Sequence, residues 1–221
     1  MNHIKSNLPT LPETELINIK VGDYPLELER VIDLDSYLDK IADEANQNED
    51  LIPYWSELWP SSIALSEYVV ERQSEFEGKR ILELGCGTGL LATVFAILDL
   101  NFLATDFEPL ALDLTRKNIL RNTGKDIDTK FLDWRNPELD EKFDIIVAAD
   151  VIYETRSTGP LIDVFLSLLN NQGSIYLAEP NRSVAKPLFT KLRGRGFSIV
   201  PISRTVVLNG VIKNITINKI V

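Results

Sequence analysis

Three alternate glycines, at 85, 87 and 89, interrupt an apolar stretch between Lys79 and Leu98, and they constrain this chain more than any other feature. Before them, Ile81, Leu82 and Leu84 make a short apolar run suited to a buried strand. After them, residues 90–98 are helix-forming. Strand, glycine turn and helix in that order let a backbone come very close to a nucleotide-like ligand, because glycine has no Cβ to obstruct it. A turn built for a dinucleotide pyrophosphate reads Gly-x-Gly-x-x-Gly, and position 90 here is Leu. Glu83, two residues before the first glycine, would repel a pyrophosphate and suits a ligand that carries an amine.

Strands and helices are expected to alternate downstream of the turn. Strands are predicted at 79–84, 101–106, 127–132, 143–149 and 173–179, and helices at 89–98, 108–122, 158–169 and 183–193. Two last strands, 197–203 and 211–217, flank a turn at Asn209-Gly210. This alternation implies an α/β, doubly wound, mostly parallel Rossmann-like sheet with helices on both faces. Upstream, two alternating runs around Gly22-Asp23-Tyr24-Pro25 predict a β-hairpin. A helix is expected at 33–45, a polar loop at 46–50, a second helix at 61–71 and a linker at 72–78. The predicted division is an N-terminal hairpin and helix appendage, 1–52, followed by the main domain, 53–221.

Composition removes several functional classes. A net charge of −10 disfavours a nucleic-acid partner and would tolerate a basic substrate. Cys86 is the only cysteine, so no intrachain disulfide forms, and its place in the glycine turn reads as a small side chain. The only histidine is His3, near the terminus, so a histidine base and a metal site are not expected. No run reaches membrane-spanning length and no apolar leader is evident, which points to a cytoplasmic protein without a membrane partner.

Ligands of open parallel sheets lie beyond the carboxyl ends of the strands, so residues there are the candidates. Asp106 ends the second strand and could accept both hydroxyls of a ribose, or cap the following helix. Asp133-Trp134 ends the third strand, where Trp134 could flank a flat ring or pack in the core. Trp59 could cover a ligand or pack the N-terminal helices on the core. Asp150 and Tyr153 follow the fourth strand, and Asp150 could serve a substrate or cap a helix. The segment 179–182 is a further candidate for acceptor contacts.

The Glu-x-Gly-x-Gly-x-Gly turn resembles motif I of the seven-strand (class I) S-adenosylmethionine-dependent methyltransferases. Asp150-x-x-Tyr153, together with Trp59-Pro60-Ser61 and Asp133-Trp134, is similar to the family 16 protein-lysine methyltransferases, over about residues 53–154. That resemblance implies a seven-stranded methyltransferase sheet with S-adenosylmethionine as cofactor and S-adenosylhomocysteine as product. It implies cofactor contacts from Trp59, Gly85, Gly87, Asp106, Trp134 and Ala149, joined by Glu83 on its own chemistry. Asp150 and Tyr153 would hold the acceptor amine, a lysine of a protein substrate. Methylation of a small amine or heterocycle, and a non-catalytic binding module of the same fold, are the alternative expectations.

Overall fold

The computed structural model describes residues 13–32 and 53–221. Strands β1 (Thr14–Val21) and β2 (Tyr24–Val31) form a separate two-stranded antiparallel sheet. Its turn is tighter than the sequence suggests, because only Gly22 and Asp23 lie outside the ladder and Pro25 pairs with Lys20 inside it. Proline is tolerated there because a strand in a two-stranded ribbon has an edge that needs no amide donor. The helix expected at 33–45 and the polar loop at 46–50 lie outside the described residues.

Helix α1 (Pro60–Glu71) begins with proline, whose missing N–H costs nothing in a first turn. The stretch expected as a linker contains a short helix, α2 (Gln73–Phe76), anchored by the fully buried Phe76. Strand β3 (Arg80–Leu84), α3 (Leu90–Ile97), β4 (Asn101–Asp106), α4 (Pro109–Thr123) and β5 (Thr129–Phe131) then follow. Strand β6 (Phe143–Ala149), α5 (Thr158–Leu168), β7 (Leu169–Glu179), α6 (Lys186–Gly194), β8 (Ile199–Leu208) and β9 (Val211–Ile220) complete the chain. One seven-stranded sheet has the order β5-β4-β3-β6-β7-β9-β8, parallel except where β9 pairs with β7 and β8.

Strand β7 starts earlier than expected, since the polar run before Gly173 is absorbed by a register shift against β6 rather than left as a loop. The expected helix at 183 begins as a single 3-10 turn, Ser183–Ala185, before α6. The last hairpin turns at Asn209-Gly210 as predicted, both with positive φ, and its strands are longer than expected.

The central strands are buried on both faces, which accounts for their largely apolar sequences. One face, with Ile81, Ile145, Val147 and Tyr176, packs on α1 and α3 and also takes Val21, Leu26 and Leu28 of the N-terminal hairpin. The other face, with Leu82, Ile146, Ile175 and Leu177, packs on α5 and α6.

Helices α3 and α4 meet closely where the glycine turn ends. Gly89 has φ +79, and a Cβ there would stand 2.7 Å from the Thr115 Cα on α4. Backbone cannot give way as a side chain can. Gly89→Ala should therefore cost about 2–5 kcal/mol in urea denaturation, combining a strained dihedral with overpacking. A loss below about 1 kcal/mol would show that α4 moves aside freely.

Candidate active site

A cavity of about 270 Å³ opens at the carboxyl ends of β3, β4 and β6. Trp59, Glu83, Gly85, Gly87, Asp106, Trp134, Ala149, Asp150 and Tyr153 all line it. These nine residues, all singled out from the sequence, thus meet in one concavity although they span almost a hundred positions, whereas the candidate segment 179–182 does not line it.

Its floor is the glycine turn. Gly85, Gly87 and Gly89 all have φ between +51 and +79, the left-handed region that side chains resist. The turn is tied to β4 by Asp106, whose Oδ2 accepts the Gly87 N–H at 2.9 Å and whose Oδ1 accepts the Glu108 N–H at 3.0 Å. Asp106 therefore organises backbone on both sides of itself, and each of its oxygens keeps a lone pair for a further donor. Cys86 is buried, receives a hydrogen bond from Thr115 Oγ1 at 3.2 Å, and has its thiol pushed well up by burial. It is a packing residue, as its place in the turn suggested.

The roof comes from the segment before α1. A 3-10 turn, Tyr54–Ser56, lays the Trp55 carbonyl over Gly87, where a Cβ would stand only 3.1 Å from that oxygen. Trp59 Nε1 donates to the Tyr54 carbonyl at 2.8 Å and fixes the segment. The Tyr54 ring lies against Tyr153, with centroids 4.5 Å apart. Tyr54 was not singled out from the sequence; its signal was its place in the aromatic cluster before Pro60.

Trp134 closes the opposite wall, and its ring approaches Gly85. Its indole N–H is buried without a hydrogen-bond partner. One Glu83 carboxylate oxygen is likewise buried and unpartnered. Orphaned polar atoms of this kind are rare in folded proteins and call for a partner. Here both border the same cavity. One is an acceptor and the other a donor, beside a glycine floor without Cβ atoms. An adenosine-bearing ligand with an amine at its other end fits that set, with Glu83, Asp106 and Trp134 in reach of its polar groups.

Asp150 sits on the far lip of the cavity with a non-glycine φ of +58. Its carboxylate accepts from Ser61 Oγ at 3.2 Å and forms an ion pair with Arg182. Arg182 also stacks over Trp59 at 5.7 Å, and its backbone N–H donates to Glu179 Oε2 at 2.9 Å. The candidate segment 179–182 is thereby joined to both Asp150 and Trp59, a link visible only once β6 and β7 are adjacent. Asp150 begins no helix; its N–H donates to the Ala178 carbonyl at 2.9 Å.

Acidic side chains dominate the site. Seven acids line the cavity against two arginines. Burial raises the carboxyls of Asp106, Glu108, Asp150 and Glu179, and for Asp150 the Arg182 guanidinium and the Ser61 hydroxyl pull the other way. Glu83 is pushed up to about 8 by burial, with Asp106 adding repulsion. Such a cluster favours a cationic ligand.

Comparison with known proteins agrees with this geometry. Residues 46–194 match the family model described as lysine methyltransferase. A Dictyostelium discoideum protein, histidine protein methyltransferase 1 homolog, is 34% identical over 58% of the chain, which covers 45% of that protein. Protein N-lysine methyltransferase METTL21A of Xenopus tropicalis is 27% identical over 71% of the chain and 78% of its own length. EEF1A lysine methyltransferase 3 of Xenopus tropicalis is 28% identical over 57% of each chain. The chain thus spans about half the length of the first and third of these relatives.

Solved structures share the fold at lower identity. A Thermus thermophilus 16S rRNA N2 G1207 methyltransferase, solved with AdoMet and guanosine, aligns with TM-score 0.61 and 16% identity. That alignment covers 95% of this chain and 52% of the other. Magnesium protoporphyrin IX methyltransferase from Synechocystis, with bound SAM, aligns with TM-score 0.55 and 14% identity, over 86% and 98% of the two chains.

The raised Glu83 carboxyl has a measurable consequence. Unfolded, Glu83 releases its proton near its ordinary 4.5; folded, it keeps the proton to about 8. Its contribution to stability is full below pH 4.5 and is lost as pH rises through about 8. Urea denaturation at pH 5 and 8.5 should show wild type losing stability, and Glu83→Gln losing less by about 4 kcal/mol. Equal losses would show that Glu83 ionises normally in the fold.

Proposed function

Since the chain belongs to the lysine methyltransferase family, we propose that it transfers the methyl group of S-adenosylmethionine to a lysine amine of a protein. The observation that carries this reading is the pairing across one cavity of orphaned cofactor-side atoms, on Glu83 and Trp134, with an acceptor lip of Asp150 and Tyr153. Lysine methyltransferase names among the relatives support it. The catalytic unit is 53–221 with 1–52 as an appendage, and the protein works in the cytoplasm.

S-adenosylmethionine, when bound, supplies an electrophilic methyl on a sulfonium. The residues of this chain do the rest. Glu83 accepts from the ligand's amine, the bare glycine floor lets the backbone approach, Asp106 receives the ribose hydroxyls and Trp134 flanks the adenine. Trp59 and Ala149 close the cavity around the cofactor. In-line transfer to nitrogen gains most from proximity and alignment, which a rigid floor and roof supply.

On the acceptor side, the lysine ammonium must first lose a proton to solvent at the exposed lip, because only the neutral amine can form the new C–N bond as the sulfonium C–S bond breaks to leave the thioether. The Asp150 carboxylate accepts a hydrogen bond from that nitrogen and orients its lone pair toward the cavity. Arg182 pulls the Asp150 carboxyl down against the rise that burial causes, and Ser61 fixes its rotamer. Tyr153 presents its ring to the incoming cation. It is 39% exposed, which favours a lysine reaching in from a protein surface over an enclosed small amine.

Two measurements test the proposal. Titration calorimetry with S-adenosylhomocysteine should give heat, and folded protein that gives none would sink the reading. Asp150→Ala should lower methyl transfer to lysine peptides by about 100-fold while product affinity stays within about threefold. Parallel loss of both would remove Asp150 from the acceptor side. Histidine peptides form the control arm, prompted by the histidine methyltransferase name of one relative.

Arg182 gives a pH signature. Removing its charge raises the Asp150 carboxyl further, so Arg182→Met should move the acid limb of the kcat/KM profile to higher pH. Arg182→Lys should restore most of it. An unmoved limb in Arg182→Met would show that Asp150 does not control that ionisation.

A further inference from the structure

Helix α4 carries a polar stripe where packing alone would call for an apolar one. Thr115, Asn118 and Asn122 stand at helical spacing on one side of it, and Thr115 and Asn118 are fully buried. Burying an asparagine is costly unless its polar atoms find partners. Here the partners lie on two different parts of the fold.

The first part is the free edge of β2. Asn118 Oδ1 accepts the Glu29 N–H at 2.7 Å, and Asn118 Nδ2 donates to the Glu29 carbonyl at 2.9 Å. One turn along the helix, Asn122 repeats the pattern two residues back on the strand. Its Oδ1 accepts the Glu27 N–H at 3.0 Å, and its Nδ2 donates to the Glu27 carbonyl at 2.8 Å. These side-chain amides stand in for a third strand and satisfy an edge that would otherwise be open. Arg121 and Lys117 add ion pairs to the Glu29 carboxylate, at 3.3 and 3.7 Å.

The second part is the glycine turn. Each asparagine has a further N–H proton, and the two direct it differently. Asn122 returns it to its own helix, at the Asn118 carbonyl, 2.8 Å away. Asn118 donates it at 2.8 Å to the carbonyl of Thr88, a residue of the cavity floor. Thr115 Oγ1 lies 3.1 Å from the preceding carbonyl of the turn, that of Gly87, and donates to it. Successive peptides of the floor are thereby held against α4. A peptide is planar and trans, so the Gly87 carbonyl turned to Thr115 aims the Thr88 N–H away from α4. Covering the β2 edge needs only what Asn122 does. The added bond to Thr88 makes Asn118 a bridge, one short side chain that spans hairpin and floor.

We propose that Asn118 is a positioning residue for the cofactor floor, and that through it the N-terminal hairpin and the cofactor cavity are coupled. Seating β2 on α4 fixes the Asn118 amide, and that amide fixes the Thr88 peptide. The coupling is reciprocal: a ligand that holds the floor tightens the hairpin by the same factor. The proposal rests on the cofactor side of the reading above and involves no acceptor residue. Strands β1 and β2 then belong to the cofactor-binding device.

The test uses the full chain, with S-adenosylhomocysteine as probe. Asn118→Asp keeps the acceptor for the Glu29 N–H, loses both donors and sets a carboxylate against the Thr88 carbonyl. It should weaken binding in calorimetry about tenfold. Asn122→Asp makes the same change at the hairpin contact without touching the turn, and leaves Glu29 seated on Asn118. Its affinity should stay within about twofold of wild type. Unchanged affinity in folded Asn118→Asp, or an equal loss in Asn122→Asp, overturns the proposal. A second measurement decides even where Asn118→Asp does not fold. Amide hydrogen exchange at Glu29 should slow about tenfold when wild type is saturated with the probe. That slowing should persist in Asn122→Asp and fall below about twofold in saturated Asn118→Asp. No slowing in wild type that binds the probe, or full slowing in Asn118→Asp, overturns the coupling alone. Wild type that binds no S-adenosylhomocysteine overturns both the coupling and the methyl-transfer reading.

Discussion

The hydrogen bond from the Gly87 amide to the Asp106 carboxylate is the tie on which the rest of this site depends. It joins the glycine turn after β3 to the end of the neighbouring parallel strand, and the same carboxylate holds the entry to α4 through Glu108. The Cys86 N–H to Thr105 carbonyl bond, at 3.0 Å, extends the β3–β4 ladder into the turn. With both in place the turn cannot swing away from the sheet. The roof can then rest on it, because Trp55 packs its carbonyl where a Gly87 side chain would otherwise be. Floor and roof are thereby fixed relative to the sheet by one buried carboxylate and by backbone contacts.

That stiffness is maintained against an electrostatic cost. Glu83, Asp106 and Asp150 are all buried in one small region, and each has its carboxyl raised above its ordinary range. Like charges in low dielectric repel, and burial penalises each separately. A fold would shed such groups if packing alone were at stake. Their retention around a cavity, with an unpartnered oxygen on Glu83, suits a cationic ligand whose arrival relieves the repulsion. A sulfonium with an ammonium tail has that character, and a lysine acceptor adds a second positive group.

Much of this was legible in the sequence because each signal was local. The glycine turn announced itself by composition, and strand β6 by an unbroken apolar run that only double burial explains. Asp106 and Asp150 were found as acids at strand ends, a position that topology turns into a site. What stayed hidden was nonlocal or context-dependent. Pro25 reads as a turn residue, yet it sits in a strand because that strand has a free edge. The stretch after α1 reads as a linker because Phe76 alone marks its burial. Tyr54 pairs with Tyr153, and Arg182 with Asp150, only after distant segments are brought together.

Asp150 and Asn181 show why the acceptor lip takes the form it does. They follow the ends of adjacent parallel strands, β6 and β7, and both adopt positive φ, at +58 and +61. Asx side chains tolerate that region best among residues with a Cβ, at a cost of about 1–3 kcal/mol each. The left-handed step at Asp150 turns its chain sharply at the carboxyl edge instead of letting the strand run on. It leaves the Asp150 carboxylate over α1, within reach of Ser61, rather than continuing the strand alternation. The same step at Asn181 puts Arg182 across the groove between strands, where it meets Asp150 and Trp59 at once. Two strained residues thus aim one charged pair, and the Ser61, Glu179 and Thr216 hydrogen bonds hold that aim. An acid and a guanidinium on relaxed loops would find each other only part of the time. Here the backbone fixes the acceptor lip before any substrate arrives, which is what alignment-driven transfer requires.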